Sequence, residues 1–173
     1  MKKEIKNTHT PTMITKARAL AVKIDGWSIG TLNKYGIPSL RLALGIIFIW
    51  FGALKTIGEL SPAYDLVAAT IYWLTPAIIV PLLGLWEVAI GICLLYPPLT
   101  RIGLLLLAFQ MPGTFLPLVL LPEVCFTAFP FALTLEGQYI VKNLTIIGSA
   151  LIVASTLKPI QPKSAKIVSP EPR

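Results

Sequence analysis

With 173 residues, 55% hydrophobic and only 13% charged, and a mean hydropathy of +0.75, the chain is too apolar for an ordinary soluble domain. It reads as a small all-α integral membrane protein, a transmembrane four-helix bundle without room for a second globular domain. The net charge of +7 does not indicate nucleic acid, because the cations gather at the chain ends. Lys2, Lys3, Lys6, Lys16, Arg18, Lys23 and Lys34 precede the first apolar segment, and Lys158, Lys163, Lys166 and Arg173 follow the last. The loop before the last segment carries only Glu123 and Glu136. This bias predicts cytoplasmic termini and an even number of spans.

Residues 1–37 form a basic N-terminal segment. Met1 to Pro11 are polar and predicted to be disordered. From Thr12 onward, Met13, Ala17, Leu20, Ile24 and Trp27 recur at spacings of four and three beside Lys16, Arg18 and Lys23. That stripe predicts an amphipathic helix on the cytoplasmic membrane surface, the alternative being a loop that touches the bundle. Gly26, Gly30 and Gly36 argue against a continuous helix into the first span. The segment lacks the uninterrupted apolar core of a secretory signal, so the first span is expected to act as its own insertion signal.

Residues 38–157 hold the membrane domain. Its spans run roughly from Pro38 to Leu54, Ile78 to Tyr96, Ile102 to Leu121 and Gln138 to Leu157, each near the ~20 residues that cross a bilayer core. Between the first two, Ser61 to Pro76 reads as a short helix at the outer surface, with Tyr72 and Trp73 suited to the interface, and it could serve as a lid. The third loop, Pro122 to Glu136, holds Phe126, Phe129 and Phe131 and is expected to dip into the outer leaflet or pack on that helix. Residues 158–173, with four prolines, form a cytoplasmic tail expected to be disordered.

Each span carries one stripe of polar, charged or small residues at alternating spacings of four and three. In the first it comprises Arg41, Gly45, Phe48, Gly52, Lys55 and Glu59, and in the second Gly84, Glu87 and Gly91. Gly103, Gln110, Thr114 and Pro117 form the third, and Gln138, Lys142, Thr145, Ser149 and Thr156 the fourth. Such spacing keeps residues on one helical face, so Gly45, Gly52, Gly84 and Gly91 are predicted packing sites.

An ionisable group at bilayer depth is costly and normally finds a partner. Under the predicted topology Glu87 lies about 14 Å and Lys142 about 6 Å from the outer face, at about 1.5 Å per residue. The predicted polar cluster is therefore Lys55, Glu59, Glu87 and Lys142, with a Glu87–Lys142 pair at its centre. Glu87 and Lys142 are either a structural ion pair or a binding and proton-handling site. Lys55 and Glu59 are equally readable as a plain interfacial pair, Gln110 as a bridge between helices, and Arg41 as a snorkelling residue. Cys93 and Cys125 form no CxxC pair and a disulfide between them is not expected; they read as two unrelated apolar fillers. No metal-ligand spacing, nucleotide loop or nucleophile elbow is visible.

Three stretches carry a resemblance: Arg41-Leu-Ala-Leu-Gly-Ile-Ile-Phe-Ile-Trp-Phe-Gly-Ala-Leu-Lys55, Gly84-Leu-Trp-Glu-Val-Ala-Ile-Gly91 and Gly137-Gln-Tyr-Ile-Val-Lys-Asn143. They resemble the DoxX-like superfamily of four-span membrane proteins, and most of all its YkgB/RclC branch, which includes an inner-membrane protein of reactive-chlorine resistance. Arg41, Gly45, Phe48, Gly52, Lys55, Glu87, Gly91, Gln138, Lys142 and Asn143 match the family pattern. The resemblance implies a bacterial inner-membrane protein of oxidant defence with no assigned molecular activity, more a non-enzymatic module than an enzyme. Its polar interior would bind a small polar solute, a quinone head group or a partner helix. Some DoxX-like relatives are subunits of quinone-linked oxidoreductases, which gives a second reading with quinone as cofactor and a soluble or membrane redox protein as partner. A small-solute transporter is a third, for which one four-helix chain is small unless it forms a homo-oligomer.

Overall fold

Seven residues separate Gly45 from Gly52, and seven separate Gly84 from Gly91; that shared interval sets how the first two long helices meet. The computed structural model describes residues 13–57 and 60–159. In chain order the elements are α1 (Met13–Thr56), α2 (Tyr64–Thr70), α3 (Pro76–Leu95), a 3₁₀ turn (Pro97–Leu99) and α4 (Thr100–Leu120). There follow α5 (Pro122–Cys125), the strands β1 (Phe126–Ala128) and β2 (Ala132–Leu133), α6 (Leu135–Val141) and α7 (Asn143–Ser155). Four stretches are long and apolar enough to cross a membrane: Thr15–Thr56, Pro76–Leu95, Pro97–Leu120 and Leu135–Ser155.

α1 and α3 run antiparallel, with Gly45 opposite Gly91 and Gly52 opposite Gly84. A Cβ on Gly52 would lie 2.6 Å from the Gly84 carbonyl oxygen, and one on Gly84 2.6 Å from the Gly52 carbonyl oxygen. At the second crossing a Cβ on Gly91 would lie 2.6 Å from the Gly45 carbonyl oxygen. Only hydrogen in place of a side chain lets the two backbones come this close, so dispersion contacts run along the whole seam. α3 continues the antiparallel series with α4, where Gly103 seats against Cys93 and Leu94, and α7 packs on α1 and α4. Each long helix then gives two residues to one core: Leu44 and Phe48, Ile90 and Leu94, Leu107 and Met111, Ala150 and Val153.

The outward faces are apolar as well. Trp50, Ile78, Leu85, Phe109 and Leu151 are exposed over three or four turns of helix, a continuous apolar surface that suits lipid rather than water.

Three expectations are corrected here. The predicted separate surface helix near the N-terminus is instead the first part of α1, one helix that passes through Gly26, Gly30, Gly36 and Pro38 without a break. An exposed glycine costs a helix only about 1 kcal/mol, and it ends one when it can adopt a left-handed cap; none of the described glycines does. Pro38 removes a single hydrogen bond, which the flanking turns tolerate. Second, the fold is mostly rather than wholly helical, because the third loop forms a hairpin with Phe126 paired to Leu133 and Ala128 to Ala132. Third, the last span is not one helix: α6 stops at Val141 and α7 begins at Asn143, with Lys142 at the junction. The short helix expected between the first two spans is present as α2. The third loop lies beside it across a pocket of about 250 Å³ lined by Asp65, Leu66 and Ala69 on one side and Val124 and Glu136 on the other. The polar tail calls at residues 1–11 fall outside the described residues, as does almost all of 158–173.

The glycine seam gives a direct test. Gly52→Leu or Gly84→Leu should lower the detergent-solubilised protein's stability by at least about 1–3 kcal/mol, because the opposing neighbour is backbone and cannot yield. Gly113→Ala and Gly148→Ala, where an added Cβ meets nothing within 4 Å, should melt at or above the wild-type temperature. Equal melting of the two sets would remove the seam as the packing determinant.

Candidate functional site

Three residues beyond each glycine of the lower crossing stands a charge: Lys55 after Gly52, and Glu87 after Gly84. In the α1/α3 register Lys55 is level with residue 81 and Glu87 with residue 49, roughly 9 Å apart along the axis at about 1.5 Å per residue. Each side chain leans toward the N-terminus of its own helix, and in antiparallel helices these directions converge. The Lys55 Cβ lies 2.8 Å from where a Gly84 Cβ would be, and the Glu87 Cβ 2.9 Å from the corresponding point on Gly52. The glycines thus admit the stems of the opposing charges.

The result is a bidentate ion pair. Lys55 Nζ donates to Glu87 Oε1 and Oε2, both at 2.6 Å. From α4, Gln110 Nε2 donates to Glu87 Oε1 at 2.6 Å. Gln110 reaches this place because it follows Gly103 by seven residues, which brings it level with Glu87 in the α3/α4 register. Trp86 fixes the same helix pair by donating from Nε1 to the Leu106 carbonyl at 3.3 Å. Glu87 is 7% exposed, so three hydrogen bonds from two donor groups replace the water that a carboxylate would otherwise hold. Gln110 Oε1 is buried and accepts no hydrogen bond from the described residues, which leaves one open acceptor beside the ion pair. The arrangement can hold a charge pair in apolar surroundings and can receive one hydrogen-bond donor.

The other predicted site residues lie elsewhere. Lys142 does not pair with Glu87. It is exposed, with its ammonium 5.1 Å from the Tyr139 ring centre. Depth along the membrane normal puts Lys142 within reach, but α7 packs on α1 and α4 rather than on α3, which carries Glu87. Asn143 makes a local bond from Nδ2 to the Tyr139 carbonyl at 3.3 Å. Arg41 is half-buried, level with Leu95 near the end of α3, and makes no ion pair or side-chain hydrogen bond among the described residues. Glu59 lies outside the described residues. The predicted cluster does bring Lys55 and Glu87 together, but with Lys55 rather than Lys142 as the partner of Glu87; the signal for that pairing is the identical three-residue offset of each charge from a packing glycine.

Cys93 and Cys125 are both free, the first half-buried in α3 and the second buried where α5 meets β1. Burial pushes the Cys125 thiol above its ordinary range, and the nearby carboxylates of Glu136 and Glu123 push it further. That environment disfavours the reactive thiolate. Among the described residues no three His, Cys, Asp or Glu side chains group as metal ligands. Set against protein-family models, curated proteins and solved structures, the chain matches none.

Removing one partner of the ion pair strands the other in apolar surroundings. Lys55→Met and Glu87→Gln should each cost about 3–5 kcal/mol in thermal or denaturant melts, whereas the double variant Lys55→Met/Glu87→Leu should regain most of the loss. Lys142→Met should leave stability nearly unchanged. A Lys142→Met variant that melts as low as Lys55→Met would reverse this assignment.

Proposed function

We propose that this chain is a four-span bacterial inner-membrane protein of the DoxX-like kind that acts in resistance to oxidants such as reactive chlorine. It works as a non-enzymatic membrane module, and its polar site is the group Lys55, Glu87 and Gln110. The observation that carries this reading is the buried ion pair joined by an amide whose oxygen is unpaired. Gln110 Nε2 completes the hydrogen bonding of the carboxylate, as a structural pair requires, whereas its Oε1 has no such task among the described residues. The open acceptor favours a ligand with a hydroxyl donor, either a small polar solute or the reduced head group of a quinone. Cys125 is not assigned the oxidant chemistry, since its buried thiol is held in the unreactive form.

Both termini are cytoplasmic in this proposal, so α2 and the hairpin lie at the outer face and α2 covers the end of the bundle nearest the triad. The cation excess before and after the four spans supports the orientation. Single cysteines labelled from outside intact cells test it. A cysteine replacing Glu123 should react with a membrane-impermeant maleimide and one replacing Lys166 should not; the reverse pattern would invert the topology.

The functional test uses cells lacking the gene and complemented on a plasmid. Wild type should restore survival under hypochlorous acid. Gln110→Leu, which keeps the ion pair and should keep the protein's abundance, should lower that survival. Wild-type survival of Gln110→Leu at equal abundance would reduce the triad to a structural pair, and no rescue by wild type would remove the oxidant role.

A further inference from the structure

α4 and α7 meet only over part of their length. Between them runs an apolar groove of about 520 Å³, walled by Leu104, Leu107 and Met111 from α4 and by Ile147, Ala150 and Ala154 from α7. The two alanines keep the α7 wall low, and Leu151 on the rim is 65% exposed, so the groove is open to the side. Its α4 wall extends from Leu104 to Phe115, eleven residues and therefore about 16 Å, which is the depth of one leaflet of a hydrocarbon core about 30 Å thick.

One end of the groove is cationic. Leu104 is three residues from Arg101, and Ala154 is four from Lys158. Arg101 donates from Nη2 to the Lys158 carbonyl, which joins the start of α4 to the chain beyond α7 at that end. This bond uses one of the five guanidinium donors and leaves the Lys158 ammonium free of any ion pair among the described residues. Arg41 stands at the same end, level with Leu95. The described carboxylates outside the triad and the N-terminal half of α1, namely Asp65, Glu123 and Glu136, all lie at the other end of the bundle, beyond the C-terminus of α4. An acyl-length apolar groove ending in two cations, with no competing carboxylate beside them among the described residues, is complementary to one kind of molecule.

We propose that the α4/α7 groove binds one acyl chain of an anionic phospholipid whose phosphate is held by Arg101 and Lys158. The site rests on the membrane reading above but not on the oxidant role. Binding would fill the loosest contact of the bundle and brace α7 against α4. Recognition combines a charge-assisted contact to phosphate with burial of a chain that would otherwise face bulk lipid; inorganic phosphate lacks the chain, and a zwitterionic lipid offers both parts but carries an ammonium that offsets the attraction of Arg101 and Lys158 for its phosphate.

Purified full-length protein in neutral detergent is titrated with phosphatidylglycerol, with phosphatidylcholine of matched chains, and with inorganic phosphate, and followed by thermal melting and native mass spectrometry. Phosphatidylglycerol should raise the melting temperature and remain bound, phosphatidylcholine should do so more weakly, and phosphate should have no effect. Lys158→Gln, at an exposed position that keeps the Arg101 bond to its backbone, should weaken phosphatidylglycerol binding about fivefold. Ala154→Phe, which fills the groove, should abolish the preference for the anionic lipid. Equal effects of the two lipids, full stabilisation by phosphate alone, or unchanged binding in both variants would each overturn the site. Alkaline extraction of native membranes checks membrane integration separately, so failure of the lipid site and failure of the membrane reading give different results.

Discussion

The close approach of α1 and α3 at Gly52 and Gly84 is the constraint on which the rest of the structure depends. Two backbones at that separation have no space for a Cβ on either side, yet the same gap admits the stems of Lys55 and Glu87 from opposite directions. Because Cα–Cβ bonds lean toward helix N-termini, antiparallel pairing turns two charges that are six residues apart in level into a bidentate contact. A parallel pairing of the same helices would send both side chains the same way and leave them separated. Ion pair, glycine seam and helix direction are therefore one feature.

The seam also explains why α4 matters. An isolated Lys–Glu pair in apolar surroundings recovers little beyond its desolvation cost unless the remaining lone pairs are satisfied. Gln110 supplies a third hydrogen bond to Glu87, and it stands at the right level because Gly103 lets α4 settle against Cys93 and Leu94 seven residues earlier. Close approach by a small residue, followed on the same helical face by a polar side chain, thus occurs on all three helices: Gly52 with Lys55 and Gly84 with Glu87 three residues on, Gly103 with Gln110 seven residues on.

Much of this was legible in the sequence, and what was not has a physical reason. The four spans follow from hydropathy, which is a property of each segment alone. Gly45, Gly52, Gly84 and Gly91 stand out because a spacing of four and three marks one face. The partner of Glu87 is different in kind, since it depends on which helices are neighbours and in what register. Depth along the membrane normal constrains neither, and so points to Lys142, whose helix packs on α1 and α4 rather than on α3. The break expected before α1's apolar half was inferred from glycine propensity, a term of about 1 kcal/mol per residue that a long helix can absorb. The hairpin between β1 and β2 is too short to give an alternating pattern that sequence inspection can separate from a loop.

A single stripe passes along the whole of α1. The alternating spacing that places Arg41, Gly45, Phe48, Gly52 and Lys55 on α3 continues backward through Pro38, Lys34, Thr31, Trp27, Ile24, Leu20 and Ala17 to Met13. It is polar at Thr31 and Lys34 and apolar beyond them, so the helix changes surroundings without changing face. The N-terminal part of α1 and Lys55 of the triad thus belong to one continuous helix, Met13–Thr56. The glycine seam, with backbone facing backbone, resists any rotation of that helix that would move Lys55 relative to Glu87. The same close packing that allows the ion pair to form also fixes it in place, so of the polar atoms in the triad only Gln110 Oε1 is left without a partner among the described residues.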